Sequence, residues 1–204
     1  MAKIGLLGGT FDPIHNGHTQ SLVSIKQQLN LDQIWVMPNA VAPHKPQPQA
    51  NGQHRLAMVE LAIADLDGVK AVDFELTQTG PSYTVYTLEK LQQRYPNNDF
   101  YFIIGMDSLA NFNHWYKWHQ ILNFCNLLVM TRPGCDALDI DELDWYQQIK
   151  ESLPKGKGSI YPVKTDEVDI SSTHIRNCLK LAQVGKFDIN PAVKRYIEQH
   201  NLYQ

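Results

Sequence analysis

Residues 100–105 read FYFIIG, a run with no charge and no polar break. Such a strand cannot alternate between core and solvent, so both of its faces need cover. Parallel sheets flanked by helices provide that cover, and hairpin sheets with one wet face do not. The rest of the chain supplies matching parts. Strand-like runs fall at 3–8, 33–37, 69–76, 127–131 and 159–163. Helix-period stretches fall at 17–29, 54–64, 84–95, 173–183 and 191–200, the first with Leu22, Ile25 and Leu29 at helical spacing. This alternation predicts an α/β fold: a doubly wound, mostly parallel sheet with helices on both faces and a small helical part from about 172 to 204. A chain of 204 residues is expected to form this as a single domain spanning 1–204.

Charge and composition narrow the function classes. The net charge of −3 leaves no broad basic field, which disfavours non-specific nucleic-acid binding but not a small anion held by local groups. No run approaches the roughly 18 apolar residues of a membrane span. The opening MAKIGLLGG reads as a short strand and lacks the parts of a signal peptide. Cys125, Cys135 and Cys178 are odd in number and show no C-x-x-C spacing, so free thiols and a cytoplasmic setting are expected. Nothing in the sequence fixes the oligomeric state.

In a doubly wound sheet, ligands bind beyond the carboxyl ends of the strands. That rule selects four stretches: 8–18, 38–45, 105–118 and 170–176. In the first, GGTFDPIHNGH, Gly8 and Gly9 let bare amides approach a ligand. A helix start follows, and His15 and His18, three apart, share one face of it. The turn is neither a G-x-G-x-x-G nor a P-loop; the arrangement suits phosphate. Zinc held by His15, His18, His114 and His119 is a competing reading. In the second, PNAVAPHK, prolines stiffen a loop that ends in His44 and Lys45. In the third, Asp107 follows the most apolar strand, and Trp115, Tyr116 and Trp118 crowd behind it, where one Trp can close the core and another can stack a flat ring. In the fourth, Ser171 or Ser172 can cap a helix whose first turn carries Arg176.

Taken together, GTFDPIHNGH (9–18) and ISSTHIR (170–176) resemble the two signature turns of the nucleotidyltransferase superfamily, G-T-F-D-P-x-H-x-G-H and I-S-S-T-x-x-R. Within it the chain resembles the bacterial nicotinate-nucleotide adenylyltransferase branch through PNAVAPHK, PSYTVYTL (81–88), FIIGMDSL (102–109), WYKW (115–118) and RPG (132–134). The likeness spans nearly the whole chain and is weakest over 135–157.

The resemblance implies transfer of AMP from ATP to nicotinate mononucleotide, giving nicotinate adenine dinucleotide and pyrophosphate, with Mg²⁺ accompanying ATP. It implies that the backbone of Gly8, Gly9, Thr10 and Phe11 together with His15 and His18 holds ATP, and that Ser172, Thr173 and Arg176 grip its phosphates from the other side. His15, His18 and Arg176 are the expected catalytic groups. Asn39, His44, Lys45, Thr84, Asp107, Trp115 and Tyr116 are expected around the mononucleotide: His44 and Lys45 on its phosphate, Trp115 stacking the pyridine, amides near Thr84 and Tyr116 on the carboxylate, Asp107 toward the ribose. No protein side chains are expected to ligate a metal. Tyr86 stands where many relatives carry Asp. Alternatives are a related adenylyltransferase acting on nicotinamide mononucleotide or phosphopantetheine, and a nucleotide sensor without turnover.

Overall fold

The computed structural model of the chain describes residues 1–40, 46–131, 156–165, 170–181 and 188–204. Among the described residues, six strands form one sheet: β1 (Ala2–Gly9), β2 (Gln33–Pro38), β3 (Val69–Ala71), β4 (Asn98–Gly105), β5 (Asn126–Thr131) and β6 (Ile160–Lys164). Their order is β3-β2-β1-β4-β5-β6, and every pairing is parallel. The chain therefore starts in the middle, winds outward through β2 and β3, returns beside β1 as β4, and winds the other way. The reversal between β1 and β4 is the switch point at which ligands of such sheets bind.

Strand periodicity splits the core into two layers. On one face Leu7, Ile34, Val36, Tyr101, Ile103, Leu128 and Val163 pack with residues of α1 (Asn16–Leu29), α2 (Gly52–Ile63), α6 (Ser172–Lys180) and α7 (Pro191–Gln199), among them Leu22, Ile25, Met58, Val59, Ile175 and Val193. On the other, Leu6, Trp35, Met37, Phe100, Phe102, Ile104, Leu127 and Val129 pack with Val85, Leu88 and Leu91 of α3 (Thr84–Arg94) and with Leu109, Phe112 and Ile121 from the segment after β4. The FYFIIG run thus feeds both layers in alternation. Each fully buried Leu, Ile or Phe contributes about 1.5–3 kcal/mol of transfer free energy.

Two expectations change. The strand expected at 69–76 ends at Ala71. The chain then turns, with the Thr77 N–H donating to the Asp73 carbonyl (3.1 Å). Phe74 and Glu75 are buried although they are not in a strand; their alternation comes from a turn folded over the α3 layer. The second helix starts at Gly52 rather than 54, because Asn51 caps it through the His54 N–H (3.0 Å). Between β4 and β5 the chain forms α4 (Met106–Ala110), a 3₁₀ turn (Phe112–His114) and α5 (Trp118–Ile121). The RPG motif, His44, Lys45 and most of 135–157 lie outside the described residues. Among the described residues, no helix is long and apolar enough to cross a membrane. Cys125 is fully buried, which pushes its thiol up to about 12.

Candidate active site

The Gly-Gly turn sits at the carboxyl end of β1, beside the switch point. A side chain at Gly9 would lie 2.7 Å from the Phe11 ring, so this close packing requires glycine. Phe11 adopts a left-handed conformation (φ 50°) and buries its ring, edge-on to His18 at 5.1 Å. Only the Phe11 backbone is therefore left to meet a nucleotide. His15 is the N-cap of α1 and His18 its third residue. Their rings lie 3.8 Å apart, and His18 Nδ1 accepts the His15 N–H at 3.3 Å. His15 is 7% exposed, and its Nδ1 has no partner. Burial lowers its pKa to about 4, so the ring is neutral at pH 7. A buried nitrogen without a partner costs about 1–3 kcal/mol, which a phosphate oxygen could offset. No acidic residue occupies the first turn of α1 or of α6, which leaves both positive helix ends to an anion.

The late motif abuts the early one. Ser172 Oγ donates to the Pro13 carbonyl (2.9 Å), and Arg176 Nη1 donates to the Asp12 carbonyl (2.7 Å). Arg176 also donates to Thr173 Oγ1 (3.1 Å) and lies 4.0 Å from the Asp12 carboxylate. Ser171, not Ser172, caps α6, accepting the His174 N–H at 3.1 Å. The guanidinium expected on phosphate is thus also the tie between two segments 164 positions apart.

Asp12 is the centre of this arrangement. It is 5% exposed and accepts the Gln49 N–H (2.8 Å), the Ala50 N–H (3.0 Å) and the Tyr203 hydroxyl (2.8 Å). Burial, then Asp12, raises the Tyr203 pKa, so the phenol stays a donor. Arg55, 2% exposed, braces the same region through backbone carbonyls. The sequence reading assigns no role to Asp12, Arg55 or Tyr203. Spacing carried a signal for Arg55, which falls on one helix face with the buried Met58, Val59 and Ala62.

The second substrate's expected residues are more dispersed. Asn39 follows β2; its N–H donates to the Gly9 carbonyl (2.9 Å) and its Nδ2 to Thr10 Oγ1 (3.4 Å), while its Oδ1 is buried without a partner. Thr84 opens α3; the Tyr86 and Thr87 N–H groups donate to the Tyr83 carbonyl (3.0 and 3.1 Å), while those of Thr84 and Val85 have no helical acceptor. Tyr116 is 43% exposed, and its ring lies 4.6 Å from that of Tyr83, the N-cap of α3. Tyr86 and Lys117 complete this cluster: the Tyr86 and Tyr116 hydroxyls are 3.3 Å apart, and Lys117 Nζ donates to Tyr86 Oη at 3.3 Å. Trp115 is half-buried, its ring against Phe112 (5.5 Å) and edge-on to Phe102 (6.2 Å). Trp118 also packs on Phe112. Both tryptophans therefore pack on the core through part of their surface, and Tyr116 stands against Tyr83, the residue before Thr84. Asp107 is exposed in the first turn of α4. Among the described residues, no three His, Cys, Asp or Glu side chains gather to hold a metal; His114 and His119 are exposed on the tryptophan segment.

Comparison with known proteins gives the family. A family model for cytidylyltransferase-like proteins matches residues 6–178. A probable nicotinate-nucleotide adenylyltransferase of Shewanella pealeana is 39% identical, covering 99% of this chain and 96% of that one. Its namesake from Shewanella frigidimarina is 41% identical, covering 99% and 100%. Among solved structures, the Plasmodium falciparum nicotinic acid mononucleotide adenylyltransferase complexed with NaAD shares the fold, with a TM-score of 0.78 at 21% identity, covering 100% of this chain and 98% of that one. The chain is thus a member of the cytidylyltransferase-like family and, within it, of the nicotinate-nucleotide adenylyltransferases.

Proposed function

We propose that this protein transfers AMP from ATP to nicotinate mononucleotide, releasing pyrophosphate and forming nicotinate adenine dinucleotide. The observation that carries the reading is the junction at Asp12 and Pro13, where Arg176 and Ser172 of the late motif meet the turn that carries His15 and His18. The relatives' names and the NaAD complex of the Plasmodium enzyme support the choice of acceptor.

The chemistry follows from the charges. A phosphate oxygen of the mononucleotide attacks the α-phosphorus of ATP. The new P–O bond forms as the bond from that phosphorus to the bridging oxygen breaks, and pyrophosphate leaves with the electron pair. The attacking oxygen is already ionised, so no strong general base is required and no enzyme-bound intermediate is expected. The obstacle is repulsion between two polyanions, about 4 kcal/mol per pair of unit charges at 4 Å and an effective dielectric near 20. Catalysis is then positioning and charge compensation. We assign ATP to the amides of 8–11, His15, His18, Ser172, Thr173 and Arg176. The mononucleotide falls to Asn39, His44, Lys45, Thr84, Asp107, Trp115 and Tyr116. His15 enters neutral, and phosphate oxygens beside it favour its protonated form. Imidazole, guanidinium and amide donors suit phosphate oxygens rather than a cation, so a Mg²⁺ ion would be held by the oxygens of ATP, where it neutralises charge on them. Free thiols at Cys125 and Cys178 and the use of ATP are consistent with the cytoplasm.

Pyrophosphate release from ATP with nicotinate mononucleotide, nicotinamide mononucleotide and phosphopantetheine in parallel tests the reading. Nicotinate mononucleotide should give the highest kcat/KM. A higher value for either other acceptor reassigns the substrate, and no release with any of them returns the site to nucleotide sensing.

A further inference from the structure

Arg55 belongs to none of the nucleotide-binding motifs, yet it heads the fully buried side chains among the described residues. Its guanidinium donates to the Thr10 carbonyl through Nη1 (2.7 Å), to the Asn39 carbonyl through Nη2 (2.7 Å, with Ala40 at 3.5 Å) and to the Ala50 carbonyl through Nε (3.2 Å). Among the described residues, no carboxylate lies within ion-pair distance of it. Core filling does not need a buried cation, since an apolar side chain of similar volume is often neutral or stabilising in such a place. What the guanidinium offers is a rigid planar fork that reaches several acceptors in fixed directions.

The acceptors are informative. Thr10 follows β1 and Asn39 follows β2, so the fork spans the ends of adjacent strands. Ala50 closes the frame, its carbonyl on Arg55 and its N–H on Asp12. We propose that Arg55 is a positioning residue that sets the spacing between the ATP-holding turn at 8–12 and Asn39, the mononucleotide contact just past the end of β2. It thereby fixes the line along which one phosphate attacks the other. This rests on the two-substrate reading above. Lysine cannot take over the task, because donors on one nitrogen do not reproduce the fork.

The test is Arg55→Lys in the full-length protein, assayed with whichever acceptor the wild type uses best, so that an error in acceptor identity is seen separately in the wild-type comparison. Each half-site stays formed while their relative placement shifts. Calorimetric Kd values for a non-hydrolysable ATP analogue and for the mononucleotide should therefore stay within about threefold of wild type, while kcat falls about 100-fold. Arg55→Gln keeps an amide donor but not the fork and carries the same test if Arg55→Lys does not fold. Its kcat should fall at least as far, again with Kd values held. Unchanged kcat in the folded variants overturns the proposal. So does a loss seen equally in both Kd values, which would make Arg55 a packing residue.

Discussion

The proposed phosphate end of the site and the proposed pyridine end are built in opposite ways. Around the 8–18 turn, the polar groups that set the backbone are buried and cross-linked: Asp12 to Gln49, Ala50 and Tyr203, Arg55 to Thr10 and Asn39, and Arg176 to the Asp12 carbonyl. Around Tyr83, Tyr86 and Tyr116, contacts are between half-buried or exposed rings and an exposed lysine that takes a left-handed backbone conformation (Lys117, φ 50°). The contrast matches the two tasks. In-line attack tolerates little error in placement, whereas a flat ring can be gripped by aromatic surface that adjusts to it.

Four experiments break or sharpen that contrast. Asp12→Ala leaves the buried Ala50 amide, the part-buried Gln49 amide and the Tyr203 phenol without their acceptor and should cost about 3–4 kcal/mol of stability. Thermal melts should read this as a drop in Tm of about 6–15 °C, and a drop under 2 °C would show that the braces are slack. His18→Ala should lower kcat at least about 100-fold, the scale of a lost transition-state donor, with little change in Tm; steady-state rates beside melts check both.

The pH dependence follows from His15. Its folded pKa of about 4 lies below the unbound value of 6.5, so the unfolded chain takes up a proton first as pH falls. The stabilising difference is fully present above about pH 6.5 and is lost progressively down to about pH 4, at most about 3 kcal/mol. Chemical denaturation across that range should show this slope in the wild type and a shallower one in His15→Asn. The smallest effects are expected at the pyridine end. Trp115→Ala and Tyr116→Ala should each raise KM for the mononucleotide about threefold to tenfold while KM for ATP holds. The Trp115 variant should also lose stability because its ring packs on Phe102 and Phe112; a KM effect in Trp115→Ala alone would make Trp115, rather than Tyr116, the ring's main platform.

How much of this the chain disclosed beforehand depended on whether the signal was local. The unbroken apolar run at 100–105, the cap at Ser171 and the His15–His18 pair at a helix start are local, and the folded elements match them in type. The overlong strand at 69–76 shows the limit: Phe74 and Glu75 are buried by what folds over them, not by strand geometry. The assignment of two tryptophans between core and site also depended on tertiary neighbours, here Phe102 and Phe112. Asp12 and Tyr203 were invisible for the same reason, since neither means anything until the other is beside it.

The Asp12–Tyr203 hydrogen bond joins positions 191 apart, and the Ser172–Pro13 bond joins positions 159 apart. Such long loops close late and slowly. An early segment with its histidines and first helix intact is consequently inert by itself. Recovery of turnover during refolding is therefore expected to report the joining of the two ends of the chain, which a helix signal alone does not follow.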